Sequence, residues 1–374
     1  MAVDCKSIGK VDTVSEDKTS NYIDGTALDT KVIIRNLYKI FGSSPSSMVE
    51  RVENGMSKKE LLDKHDHVLA LTDVNIDIPS RRIQVIMGLS GSGKSTLIRH
   101  VNRLIEPTTG EIIVDGQNVL EMNQSELMKF RRHRASMVFQ RFALLPHHTV
   151  SDNVAFGLTI QNIPKNEALE RSSKWVERVG LAGYERHFPN QLSGGMQQRV
   201  GLARALTTDA EIMLMDEAFS ALDPLIRTDM QDILLGLQDE LHKTILFITH
   251  DLDEALRIGD NIAILRDGAI VQKGSPQEII LNPADDYVSD FIKDINRGRV
   301  VEVGSVMDDA KLEDGPAIDK YMVVDDALQV LSKAGTNSAI VTDYDKPVGS
   351  VGLDKLIAAV AKPEVGEARS GNYR

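Results

Sequence analysis

The sequence predicts an α/β fold built on a mainly parallel sheet, and three features point there. Short apolar runs, among them IQVIM at 83–87, IMLMD at 212–216 and TILFITH at 244–250, read as strands buried on both faces. Stretches of helical period separate them, and strands that alternate with helices assemble most simply into a parallel sheet. The first of these strands runs straight into a glycine-rich turn that opens an amphipathic helix, the usual ligand edge of such a sheet.

Taken in order, residues 1–30 are polar, without hydrophobic period, and read as a flexible tail carrying the single cysteine, Cys5. KVIIRNLYKIF from Lys31 reads as a strand, and VNIDI places Val74, Ile76 and Ile78 on one strand face. Between these two segments, Ser47 with Glu50 and Ser57 with Glu60 fit the capping-box spacing and predict two short helices. After the glycine-rich turn, Leu97, Ile98, Val101 and Leu104 share a helix face, ended by Pro107 and Gly110. EIIVDG and SMVFQ at 136–140 read as strands flanking a helix around NQSELMKFRRHR. Its basic end, Arg131, Arg132, His133 and Arg134, reads as solvated. A largely helical region follows, and beyond IMLMD and TILFITH the segments NIAILRDG and AIVQKG complete the strand set. From about residue 300 an α-β-β-α unit follows, made of DDALQVLSKAG, SAIVTD, PVGSV and DKLIAAV, before a polar tail. A unit that small buries little core alone, so it is expected to pair, most simply with its own copy.

With 374 residues the chain has room for about two to three domains. Acidic residues outnumber basic ones, 55 to 43, and the net charge of −12 provides no global attraction for nucleic acid or an anionic membrane. One cysteine cannot form an intramolecular bridge. The first thirty residues hold no signal-peptide core and no later run is long and apolar enough to span a bilayer. The chain is therefore expected in the cytosol unless a partner anchors it.

Gly88-Leu-Ser90-Gly91-Ser92-Gly93-Lys94-Ser95 satisfies G-x-x-x-x-G-K-[ST] between a buried strand and a helix, the pattern of a P-loop NTPase. Its glycines let backbone N–H groups surround phosphate oxygens at the N-terminus of a helix that begins with Lys94, Ser95 and Thr96. Lys94 suits the β and γ phosphates, and Ser95 suits Mg²⁺. The strand IMLMD delivers Asp216 as a metal partner and Glu217 as the base for an attacking water.

Leu192-Ser193-Gly194-Gly195-Met196-Gln197-Gln198-Arg199, 23 residues before Asp216 when counted from Ser193, resembles the signature motif of ATP-binding cassette (ABC) ATPases. The resemblance spans residues 31–295, with a helical subdomain at about 141–206 and a RecA-like core joined to an antiparallel β subdomain. It implies ATP hydrolysis with Mg²⁺, Gln140 as a metal- and water-contacting Q-loop residue, Ser220 and Asp223 in the D-loop, and His250 as the switch histidine. It also implies a homodimer in which Ser193–Gln197 closes over ATP held by the other subunit, and an aromatic on the adenine, here Phe41 in preference to Tyr38.

GLSGSGKSTLIRHVNRLIEPT, MDEAFSALDPLIRTDMQD and HDLDEALRIGDNIAILRDGAIVQKG look most like ATPase subunits of importers for glycine betaine, proline betaine or choline. That resemblance implies transmembrane permease subunits contacted near residues 141–165, indirectly a periplasmic or extracellular solute-binding protein, and a position on the cytoplasmic face of the inner membrane. Nucleic acid is not an expected partner. A soluble ABC ATPase with another partner, or an importer of a different solute, is the alternative. The unit at 300–362, ahead of a tail at 363–374, resembles a single cystathionine-β-synthase (CBS) motif. In Gly349-Ser-Val-Gly352-Leu-Asp354-Lys355, however, Gly and Lys occupy the Thr and Asp positions of the ribose-contacting pattern, which argues against a nucleotide there.

Overall fold

A computed structural model of the chain describes residues 22–23, 26–27, 29–140, 142–310 and 315–361. Most of the expected N-terminal tail, with Cys5, and the tail at 363–374 lie outside these residues. Within the N-terminal stretch, Tyr22–Ile23 pairs antiparallel with Thr26–Ala27.

In chain order the elements begin with strand β1 (Thr30–Phe41), short helices α1 (Val49–Glu53) and α2 (Lys58–His65), and strand β2 (Val68–Pro79). Next come β3 (Ile83–Met87), α3 (Lys94–Val101), β4 (Thr109–Val114), α4 (Gln124–His133) and β5 (Ala135–Val138). Three helices follow, α5 (Val150–Ile160), α6 (Lys165–Arg178) and α7 (Gly194–Thr207). The chain continues through β6 (Ile212–Asp216), α8 (Pro224–Leu241), β7 (Thr244–Thr249) and α9 (Leu252–Ile258). Then come β8 (Asn261–Arg266), β9 (Ala269–Gly274), α10 (Pro276–Leu281) and α11 (Asp286–Ile292). The last unit holds β10 (Ala317–Asp319), α12 (Val324–Ala334), β11 (Ser338–Asp343), β12 (Lys346–Gly352) and α13 (Leu353–Val360).

The main sheet runs β9-β8-β3-β7-β6-β5, parallel except for β9. A second sheet, β2-β1-β4 with Gln117–Asn118 at its edge, is antiparallel and covers one side. Helix α3 lies between the two sheets, where Leu97, Ile98 and Val101 join Ile34, Ile76, Leu214 and Ile248 in one cluster. Each such side chain contributes roughly 1.5–3 kcal/mol when fully buried. On the other face of the main sheet the rings of Phe219 and Phe247 meet at 5.6 Å, tilted by 50°, within the larger cluster. Helices α5, α6 and α7 build a smaller core of their own around Val154, Val176 and Val200. No described helix is long and apolar enough to cross a membrane.

The sequence reading needs several corrections. Ser57 and Glu60 form the expected capping box, but Ser47 does not cap α1. Pro45 starts a 3-10 turn that carries Ser47 inside it, where its hydroxyl donates to Ser44 O at 2.8 Å. Leu104 does not share the α3 face. The helix stops at Val101, Arg103 turns left-handed (φ 53°), and Leu104 is left exposed. Nor is the basic run at 131–134 merely solvated: Arg131 donates to Asn102 O at 2.9 Å and Arg103 O at 2.5 Å, closing the end of α3, and Arg134 pairs with Asp115.

The C-terminal unit has the expected α-β-β-α order, plus β10, which runs parallel to β11. Three residues, Ala317–Asp319, are too short for any period to reveal. Its core (Val324, Leu331, Val341, Leu356) is continuous through Val301 and Val303 with Ile292 and Val288 of α11. Part of the burial it needs therefore comes from the preceding segment of its own chain.

Candidate nucleotide site

Four neighbouring parallel strands, β3, β7, β6 and β5, end side by side, and each is followed by an expected site residue. The register aligns Met87 with Thr249, Ile248 with Asp216, and Met215 with Val138. The phosphate-loop turn, His250, the Asp216–Glu217 pair and Gln140 thus emerge on one edge, 52 to 162 positions apart in the chain from Lys94's neighbour Gly88.

At the turn, Gly93 is left-handed (φ 106°), and a Cβ there would lie 2.5 Å from the Ala70 carbonyl. Gly91 is also left-handed (φ 79°), a conformation glycine adopts without strain, and the first N–H groups of the helix that follows have no intrahelical acceptor. Lys94 is buried and donates from Nζ to Gly88 O (2.8 Å) and Leu89 O (3.0 Å), with Glu217 Oε1 at 3.8 Å. Burial lowers its pKa, and Glu217 and Asp216 oppose that shift. A cation folded onto its own loop and flanked by carboxylates is suited to exchange those carbonyls for phosphate oxygens. Ser90 is exposed at the rim, Ser92 is buried with no partner for its hydroxyl, and Thr96 accepts at its carbonyl from His100 Nδ1 (2.5 Å).

Asp216 is buried, and both of its oxygens are taken: Ser95 Oγ donates to one (2.7 Å) and Arg99 Nη2 to the other (3.0 Å). Glu217 turns left-handed (φ 46°), a conformation costing roughly 1–2 kcal/mol for a residue with a Cβ. Its carboxylate gathers the rest of the site. Gln140 Nε2 donates to Oε2 at 3.0 Å and reaches Ser220 Oγ at 3.4 Å, and His250 Nδ1 stands 3.5 Å from the same Oε2. Ser220 Oγ in turn donates to the Glu217 carbonyl at 2.9 Å. Six expected residues, Lys94, Ser95, Gln140, Asp216, Glu217 and His250, therefore form one connected group, and Ser220 joins it. Two features escaped sequence reasoning: Arg99, whose spacing of four from Ser95 was the available signal, and the Glu217 backbone, which left none.

Ser95 and Asp216 present two hard oxygens side by side, 2.7 Å apart. That fits Mg²⁺, which is held through one or two protein oxygens with phosphate and water completing its shell.

The signature segment stands apart from this group. Ser193 caps α7, its Oγ accepting from Met196 N–H at 3.4 Å, Gln197 Nε2 donates back to Leu192 O at 3.2 Å, and Gly194 and Gly195 open the helix. Asp223 precedes α8 without a side-chain cap. At the other rim Phe41 is 41% exposed with Lys39 Nζ 4.7 Å from its ring centre, whereas Tyr38 is 8% exposed and packs among Ile40, Val49 and Leu61. Only Phe41 offers an open ring face.

A family model described as ABC transporter matches residues 71–220. The glycine betaine transport ATP-binding protein OpuAA of Bacillus subtilis is 47% identical over 319 residues, which is 84% of this chain and 74% of that protein. The chain belongs to the family of ABC transporter ATP-binding subunits that serve glycine betaine transport. The glycine betaine/proline betaine transport system ATP-binding protein ProV of Escherichia coli is 46% identical over 337 residues, covering 89% of the subunit and 84% of its relative. Among solved structures, the ATP-binding cassette MJ0796, seen as a dimer in a post-hydrolysis state with ADP and Pi, matches at a TM-score of 0.56 and 31% identity. That match covers 66% of the subunit and 98% of the cassette.

Proposed function

We propose that this chain is the ATP-hydrolysing subunit of an ABC importer, powering uptake of a quaternary-amine osmoprotectant such as glycine betaine or proline betaine. The observation that carries the reading is the convergence of Lys94, Ser95, Gln140, Asp216, Glu217 and His250 on one strand edge, in a chain 47% identical to a glycine betaine transport subunit.

In this reading Lys94 and the loop N–H groups bind the ATP phosphates, and Phe41 stacks on the adenine. Ser95 and Asp216, with Gln140, hold Mg²⁺, which when bound neutralises charge on the phosphate oxygens. Glu217 accepts the proton of the attacking water, and the 3.0 Å bond from Gln140 keeps its carboxylate aimed. His250 holds its position against Glu217 and contacts the γ phosphate. Ser193, Gly194, Gly195, Met196 and Gln197 complete the site from a second copy, with Ser220 and Asp223 at that contact.

The permease docks in a groove of about 350 Å³ between the main core and the helical region; its lining includes Leu104, Phe139, Leu145 and Phe156 and is mostly apolar. Four of its lining residues, Ala143, Leu145, Phe156 and Gly157, fall in the segment 141–165, and the exposed Leu104 lines it as well. The subunit would then sit peripherally on the cytoplasmic face of the membrane. The CBS-like unit acts as an interaction module that pairs with its twin. Lys355, at the ribose-contacting position, pairs with Asp308.

Reconstitution of the chain with its copurifying membrane protein in liposomes tests the reading. ATP-dependent accumulation of labelled glycine betaine, abolished by Lys94→Ala, is the expected result. ATP hydrolysis without any membrane partner would instead favour a soluble ABC ATPase.

A further inference from the structure

Helix α3 presents two donors, Ser95 and Arg99, four residues apart and so on one face. Both reach the carboxylate that ends β6, the strand against which α3 packs. The Asp216 side chain is 3% exposed, and each donor takes one oxygen: Ser95 Oγ donates to Oδ1 (2.7 Å), and Arg99 Nη2 donates to Oδ2 (3.0 Å). Arg99, at 44% exposure, stands at the mouth of the site.

A buried carboxylate is stable only when paired and hydrogen-bonded, and without Arg99 this one keeps a single neutral hydroxyl donor. The direction of the Ser95 bond matters equally. Because the Ser95 proton points at Oδ1, the lone pairs of Oγ are turned elsewhere and remain available to a cation. The carboxylate orientation therefore fixes the hydroxyl orientation, and Arg99 fixes the carboxylate from the oxygen that Ser95 does not use.

We infer that Arg99 is a positioning residue for the metal site: it locks the Asp216 carboxylate, and through it the Ser95 hydroxyl, in the orientation that receives the divalent ion of the nucleotide complex. It does this from Oδ2, the oxygen Ser95 does not use. The inference rests on the reading of Ser95 and Asp216 as the metal-holding pair.

The test uses the full chain with ATP and Mn²⁺ as the spectroscopic probe, titrated by electron paramagnetic resonance, and measures binding of a fluorescent ATP analogue in EDTA separately. A charge-assisted bond is worth about 1.5–3 kcal/mol, so Arg99→Met should weaken Mn²⁺ binding about 10-fold or more while metal-free nucleotide binding stays within about 2-fold. Arg99→Lys, which restores the charge, should recover most of the loss. Should Arg99→Met fail to fold, Arg99→Gln carries the same test, since its shorter, neutral side chain removes the charge-assisted bond to Asp216 while staying polar at the exposed mouth of the site.

Unchanged or tighter Mn²⁺ binding in the folded neutral variant overturns the inference, as does parallel loss of metal-free nucleotide binding, which would mark a purely structural role. Ser95→Ala separates the two levels. If it weakens Mn²⁺ binding while Arg99→Met does not, only the role of Arg99 fails. If neither does, the metal-site reading fails with it.

Discussion

The chain builds two glycine-containing helix N-termini of anion-binding type, and they differ in company. The phosphate loop before α3 is ringed by Lys94, Asp216, Glu217, Gln140 and His250, most of them bonded to one another. The signature segment before α7 has a serine cap, two glycines and a glutamine that bonds back to its own loop. One holds reacting groups, and the other holds only donors for an anion. That difference is what the proposed dimer requires, in which Ser193–Gln197 would be half of a site completed by the phosphate loop of a second copy.

The largest expected effect falls on the side with the chemistry. Glu217→Gln removes the proton acceptor and should cut ATP turnover about 10²–10⁴-fold while leaving ATP binding intact. Wild-type turnover in a single-cycle assay would strip Glu217 of its role and erase the contrast.

A second difference is a titratable group inside α3. His100 is fully buried, and desolvation lowers its pKa to about 4, well below that of an exposed imidazole. The unfolded chain therefore takes up a proton near pH 6.5 that the folded chain refuses until about pH 4. The stability tied to His100 is present above pH 6.5 and is lost as pH falls toward 4, by about 3 kcal/mol in all. Urea melts across that window should show the loss in the wild type and a flatter dependence in His100→Asn. Equal slopes would remove His100 from the account.

On the bare side, Ser193→Ala should lower turnover about 10-fold, as expected for one lost hydrogen bond to a charged group, without changing ATP affinity measured on dilute monomer. A matching loss of monomer affinity would show that the signature serves the phosphate loop of its own chain. The smallest effect is expected at the shared rim. Phe41→Ala should raise the ATP KM by about 5-fold, the low end of the roughly 1–3 kcal/mol per base that base–aromatic stacking is worth, because the ring is part exposed at the rim. Tyr38→Phe, which keeps the buried ring, should leave KM unchanged. A reversal of those two results would move the stacking role to Tyr38.

Much of this was legible in the chain. The phosphate loop, the Asp216–Glu217 pair and the signature are runs of consecutive residues whose spacing is itself the requirement, and the buried strands that carry the first two are apolar on both faces. Local capping was less legible. Ser57–Glu60 and Ser47–Glu50 have identical spacing, yet only the first forms a capping box, because Pro45 begins a turn that engulfs Ser47. Strand β10 was invisible because three residues carry no period, and Leu104 fitted a helical stripe that the left-handed Arg103 interrupts.

The sequence by itself determined where the glycine-rich phosphate-loop pattern stands, which acid follows which strand, and where the family signature stands, since each depends on short-range order along the backbone. Only the tertiary structure decided that Gln140 donates to Glu217, that Glu217 turns left-handed to meet His250, and that Arg99 shares Asp216 with Ser95. Those contacts depend on the order and register of four parallel strands, and strand order is set by how whole faces pack rather than by any local run of residues.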